Sequence, residues 1–144
     1  MNEYGSYILT PDQVVAMWDD IRPMLQESIL ANEVSEDTMT PEHILGMIVS
    51  EMAACIGFFE NGNLKLVLAF QFESDNGNKS VNILAFAGEE MMAFKRLYWD
   101  YILNWFRANG VSRVETLANP RMAKVFRRFG FDRSSVCISL SLKE

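Results

Sequence analysis

The chain has 144 residues, enough for one domain around a single hydrophobic core, and 49% hydrophobic content excludes a disordered polar chain. Thirteen Lys and Arg against nineteen Asp and Glu leave a net charge of -6, which excludes sequence-independent attraction to nucleic acid or to an anionic membrane surface. No apolar run reaches the ~18–20 residues that span a bilayer, and Met1-Asn2-Glu3-Tyr4 lacks the basic and apolar regions of a secretory signal, so a soluble, intracellular protein is expected.

Tyr7 to Leu9 reads as a short strand. Thr10-Pro11-Asp12-Gln13 then starts a helix, with Thr as N-cap, Pro at the first helical position and Gln three residues after the cap. Val14, Met17, Trp18 and Ile21 continue it at helical spacing until Pro23, which is expected to kink or interrupt it before Leu25, Ile29 and Leu30. The acidic stretch from Asn32 to Met39 reads as a loop. Thr40-Pro41-Glu42 repeats the start signal, and Ile44, Leu45, Ile48 and Met52 form the apolar face of a second helix.

Beyond that point the period changes. Ala54 to Glu60, Leu64 to Glu73 and Ser80 to Ala87 are strand candidates separated by Asn61-Gly62 and Asp75-Asn76-Gly77, strong hairpin signals that predict an antiparallel meander. In the middle strand Leu64, Leu66, Leu68, Phe70 and Phe72 share a face expected to meet the helices, and Lys65, Val67, Ala69 and Gln71 share the other.

Glu89 to Asn109 reads as a long helix closed by Gly110. Phe94, Leu97, Tyr98, Tyr101, Trp105 and Ala108 make its core stripe, while Lys95, Arg96, Asp100, Asn104 and Arg107 make a narrow polar one. This leaves Met92, Trp99, Leu103 and Phe106 as further apolar surface, and Trp99, Leu103 and Phe106 are the expected contact with a second copy or another protein. Arg113 to Ala118 reads as a strand, Pro120 to Phe129 as a short helix and Ser135 to Leu142 as a last strand. The crossover from Val81 to Val114 implies a parallel pair within an otherwise antiparallel sheet.

Cys55 and Cys137 lie far apart in apolar stretches with no metal-type spacing, so both are read as buried thiols. His43 is the only histidine and is placed in the first turn of a helix; no metal is expected.

Asn119 to Phe131 carries the most specific signal. In GCN5-related N-acetyltransferases (the GNAT fold) a comparable segment runs Asn, then a Tyr seven residues on, then Gly-Phe closing a short helix. Asn119, Gly130 and Phe131 stand at the matching offsets, but Phe126 occupies the Tyr position. The element order is similar to that fold over almost the whole chain, so the expected class is α/β: one GNAT-like domain over residues 1–144, with a mixed, mostly antiparallel sheet flanked by helices.

The resemblance implies that the pantetheine arm of acetyl-CoA lies between the Val81 to Ala87 and Arg113 to Ala118 strands, against Phe86, Ala87, Gly88, Asn119 and Phe126. It also implies a following turn, Arg or Gln-x-x-Gly-x-Gly or Ala, that wraps the diphosphate with backbone amides. Here the segment is Phe86-Ala87-Gly88-Glu89-Glu90-Met91-Met92-Ala93, with a single glycine and two carboxylates. Glu89 and Glu90 are read either as first-turn residues that stabilise the helix dipole or as candidates for a general base; no catalytic residue is assigned. Phe126 lacks the proton that the family's Tyr gives to the departing thiolate.

Asn119 is read both as helix cap and as a side chain facing the cleft. Arg121, Lys124, Arg127, Arg128 and Arg133 form a basic cluster that faces CoA phosphates, an acidic partner or solvent. Trp18, Thr40-Pro41-Glu42, Gly88 to Trp105 and Arg121 to Phe131 look most like the GNAT-like proteins of tailed bacteriophages, implying a virion or host-cytoplasm setting. Two functions follow: a structural or protein-interaction component with a degraded acetyl-CoA site, or an active acetyl-CoA-dependent N-acetyltransferase acting on an amine of a small molecule or protein.

Overall fold

The computed structural model describes residues 3–32, 39–116 and 120–131, with the backbone alone for 29–32, 75 and 120–122. Five strands, β1 (Tyr4–Leu9), β2 (Ala54–Glu60), β3 (Asn63–Asp75), β4 (Asn78–Gly88) and β5 (Val111–Thr116), form one sheet in the order β1-β2-β3-β4-β5. The first three pairings are antiparallel, and β4 and β5 are parallel with Val81 opposite Val114, as the crossover requires. Asn61-Gly62 and Asn76-Gly77 all have positive φ, the conformation of a tight hairpin whose twist matches its strands. The expected strand from Ser135 to Leu142, and Cys137, lie outside the described residues.

Helices cover both faces of the sheet, where the sequence pattern of β3 had pointed to one. On one face α1 (Pro11–Ala16), α2 (Trp18–Asn32) and α3 (Pro41–Val49) bury Val14, Ile21, Leu25, Ile44 and Ile48 against Val67 and Ala69 of β3. Thr10 and Gln13 cap α1 reciprocally, and Thr40 accepts the His43 amide at the start of α3. The chain breaks at Met17 rather than at Pro23, and α2 runs through the exposed proline. A proline removes one backbone bond, and here the tertiary burial of Ile21 and Leu25 on either side holds the helix together. Met52 is exposed because α3 ends at Val49, three residues earlier than its apolar pattern implies.

The other face is covered by α4 (Met91–Phe94), a π turn (Lys95–Trp99), α5 (Asp100–Ala108) and α6 (Pro120–Arg128). The π turn inserts one residue into the helix, which rotates everything after it by about 100°. The buried stripe is therefore Phe94, Trp99, Ile102 and Phe106, and the expected stripe through Tyr101 and Trp105 is turned outward. Trp99 and Phe106 are 5% and 1% exposed and Leu103 is half-buried against the core, so the partner surface expected from these three residues belongs to the interior. Trp99 Nε1 donates to the Phe129 carbonyl at 2.8 Å, tying the helix to the end of α6.

Trp99→Ala is expected to lower stability in urea unfolding by about 3–5 kcal/mol, and Tyr101→Ala by no more than about 0.5 kcal/mol. The reverse order would indicate an uninterrupted helix.

Candidate functional site

The described pairing of β4 with β5 covers only the first half of β4, Lys79 to Ile83. Along β4, Ile83 faces Phe70 and Ala85 faces Ala69, so Leu84 is an extra, bulged residue. The last described rung with β5 comes just before it, Ile83 with Thr116, where the Thr116 hydroxyl donates to the Ile83 carbonyl at 3.2 Å. From Leu84 to Gly88 the β5-side edge of β4 has no strand partner among the described residues.

That edge is satisfied from within. The Phe86 amide donates to Oγ of Ser28, which is 5% exposed on α2, at 3.1 Å. Ser28 follows Ile21 and Leu25 on the core stripe of that helix. Neither Ser28 nor the bulge was read from sequence; a serine on an apolar stripe was the available signal. On the opposite face the Phe86 ring packs on Phe126 and Phe129, with centroids 5.8 and 5.2 Å away, and Phe126 meets Phe131 at 5.1 Å. Phe86 and Phe126, both expected at the cofactor cleft, thus come together as core rings that are 2% and 5% exposed. Ala87 is buried as well, and Asn119 lies outside the described residues.

The turn after β4 differs from expectation. Gly88 has φ 134, and a Cβ there would run into the Lys65 carbonyl oxygen and the Leu66 Cα, so this glycine serves the close approach of β3. Glu89 and Glu90 precede the helix rather than forming its first turn, which contains no acidic residue. The Glu89 amide donates to the Lys65 carbonyl at 2.8 Å, while its exposed carboxylate stands 3.7 Å from the Lys65 ammonium. Glu90 is the N-cap in a left-handed conformation, φ 64, and makes no side-chain cap bond. Their expected dipole role is therefore replaced by a strand-to-strand clasp at Glu89 and a strained corner at Glu90.

Sequence reading passed over Glu115. It sits on β5 one rung before the last described pair with β4, opposite Asn82, and is 4% exposed. Its Oε2 accepts from Arg113 at 3.1 Å, and its Oε1 is buried with no partner among the described residues. Burial raises its pKa above 4.5, the nearby Arg113 guanidinium partly offsets this, and Glu73 adds to the rise. Its strand also carries Ser112, Arg113 and Thr116, so nothing in the pattern set this carboxylate apart.

Cys55 is buried, and desolvation pushes its thiol up to about 12, far from a thiolate at neutral pH. His43 lies in the first turn of α3. Of the basic cluster, Lys124, Arg127 and Arg128 are exposed on α6; the Arg121 side chain and Arg133 are outside the described part. A separate recess of about 630 Å³, lined by Thr10, Ile48, Met52, Gln71 and Phe72 among others, contains no β4 or β5 residue. Among the described residues no group of three His, Cys, Asp or Glu is placed to hold a metal, and no helix is long and apolar enough to cross a membrane.

The overall fold matches that of solved acetyltransferases. A ribosomal-protein-alanine N-acetyltransferase from Brucella melitensis biovar Abortus 2308 superposes with a TM-score of 0.66 at 11% identity, over 92% of this chain and 94% of its own. A predicted acetyltransferase with acetyl-CoA from Clostridium acetobutylicum gives 0.64 at 10% identity, over 94% and 92%. Glucosamine-6-phosphate N-acetyltransferase from Arabidopsis thaliana gives 0.58 at 13% identity, over 92% and 94%. At these identities the likeness is one of fold, and the chain has the GNAT fold. No family model and no curated protein matches the sequence.

Because the native state holds the Glu115 proton more tightly than the unfolded chain does, ionising this carboxyl costs native stability. Its contribution is most favourable below the unfolded value of 4.5 and is lost as pH rises through the higher folded value. Glu115→Gln is expected to raise the melting temperature near neutral pH, with the advantage shrinking toward about pH 4. A constant difference across that range would contradict the assignment.

Proposed function

We propose that this chain is a GNAT-fold protein that has given up acetyl-CoA-dependent catalysis and serves as a structural or protein-interaction component. The carrying observation is the β4–α4 turn, where a diphosphate would need free backbone amides. The Glu89 amide is spent on the Lys65 carbonyl, and two exposed carboxylates stand at the corner. These like charges oppose an anion at the corner, an effect that solvent screens and that the Lys65 ammonium beside Glu89 partly offsets. The residues present do not fit the group.

Binding to other proteins is supported by the aromatic side chains that the π turn brings outward, Tyr101 at 74% and Trp105 at 38% exposed, with Met92 of α4 also exposed at 44%. Phe72, 39% exposed, adjoins Trp105 with ring centroids 6.0 Å apart. The virion or host-cytoplasm setting rests on the sequence resemblance to phage GNAT-like proteins.

One observation favours the second reading, an acetyl-CoA-dependent N-acetyltransferase acting on an amine. The Glu115 carboxyl is buried on β5 with one oxygen unpartnered among the described residues, and such a group can serve as the base that takes a proton from an amine.

Thermal unfolding with millimolar acetyl-CoA separates the two, since a ligand at 100 times its Kd adds about 2.7 kcal/mol of stability. The proposed reading expects no shift for the native chain, and a gain of affinity when Glu89 and Glu90 are both changed to Gln. A clear shift for the native chain would overturn it in favour of the enzyme.

A further inference from the structure

We propose that the recess beyond the start of β2 is a docking slot for an extended segment of a partner protein, one whose side chains alternate between apolar and basic. The choice of a protein partner rests on the reading given above. The slot itself lies at the end of β4 away from the β4–α4 turn, beside the Phe70 and Phe72 rungs rather than the Leu66 rung that Gly88 occupies.

The slot follows from how the chain leaves α3. The Met52 and Ala53 amides both donate to the Met47 carbonyl, at 2.7 and 3.1 Å, and Glu51 has φ 65, a left-handed corner unfavourable for a residue with a side chain. Residues that could have prolonged β2 are thus tied to the helix end, and β2 begins at Ala54, opposite Phe70. β3 runs on to Asp75, and among the described residues its overhang from Gln71 pairs with β4 alone. Alternate residues of that overhang turn an amide and a carbonyl toward the missing neighbour, the pattern to which extended chains add. The recess of about 630 Å³ lies where a prolonged β2 would run, with Leu9 and Thr10 on the β1 side and Phe70 to Phe72 on the β3 side.

The two faces of the slot differ in chemistry. Toward α5 it is walled by Phe72, which packs on Trp105 and Phe106, and by Ile8; both are partly exposed, at 39% and 43%. Toward α1 and α3 it is lined by Thr10, Glu51 and Gln71, and Glu73 follows Gln71 on the same face of β3. A strand laid in the slot presents alternate side chains to these two faces, which suits apolar residues on one and Lys or Arg on the other. Two cations at this end are engaged elsewhere: Lys79 lies 4.6 Å over the Phe72 ring and donates to the Asn109 carbonyl, and Arg113 pairs with Glu115. A second copy fits less well, because two such short edges paired antiparallel bring their own carboxylates together.

The probe is a capped heptapeptide, Val-Lys-Val-Arg-Val-Lys-Val, followed through the amide resonances of the native chain. Binding is expected to shift the Gln71 to Ser74 amides and to slow their exchange, and a peptide with Glu at the basic positions should bind at least about tenfold more weakly. Glu51→Lys with Glu73→Lys should reverse that preference. Met52→Arg, at a slot residue that is 62% exposed, should weaken the basic peptide by at least about tenfold, and it carries the comparison if the double variant fails to fold.

No binding at millimolar peptide, equal binding of the basic and acidic peptides, or shifts confined to other residues would each overturn the slot. Self-association that protects the same amides would also overturn it, by giving the edge to a second copy. Acetyl-CoA binding by the native chain would overturn the reading of the β4–α4 turn and leave the peptide comparison to decide the slot.

Discussion

An α-helix turns about 100° per residue, so one residue too many between Phe94 and Trp99 decides which side chains face the sheet for the rest of its length. The π turn places Trp99, Ile102 and Phe106 inward, and burying each of these large side chains contributes about 1.5–3 kcal/mol. Trp99 then hydrogen-bonds the Phe129 carbonyl and stacks edge-on against the Phe129 ring at 5.3 Å. That contact seats α6, which carries Phe126 against Phe86. The same rotation puts Tyr101 and Trp105 on the outside. The aromatic filling beside β4 and the exposed aromatic surface thus have one origin.

Much of the scaffold was legible because it is written in local chemistry. Thr10-Pro11 and Thr40-Pro41 start helices through a hydroxyl and a preset φ, and Asn61-Gly62 and Asn76-Gly77 fold hairpins through positive φ. The parallel pairing of Val81 with Val114 followed from one crossover. The π turn left no such mark. The helix is apolar on nearly every side, so the pattern through Tyr101 and Trp105 was as consistent as the one through Ile102 and Phe106. Only packing against β3 and α6 selects between them.

What surrounds the expected site residues was hidden for a related reason. Phe86, Ala87, Gly88 and Phe126 are each occupied with the fold itself: two aromatic rings in the core, a buried alanine, and a glycine pressed on β3. Ser28 and Glu115 were invisible because their meaning comes from partners 58 residues away, in the case of Ser28 and Phe86, or across a strand pair. A polar residue in an apolar stripe acquires a role only once the fold shows what it meets.

The most direct measurement is the unfolding free energy of a chain lacking Lys95, an exposed residue within the π turn. Deletion lets the helix close as a regular α-helix with Trp99, Ile102 and Phe106 still facing the sheet, so stability should stay within about 1 kcal/mol of the native chain. A loss of several kcal/mol would mean that the deletion had swung those side chains out of the core, and that the native helix contains no extra residue.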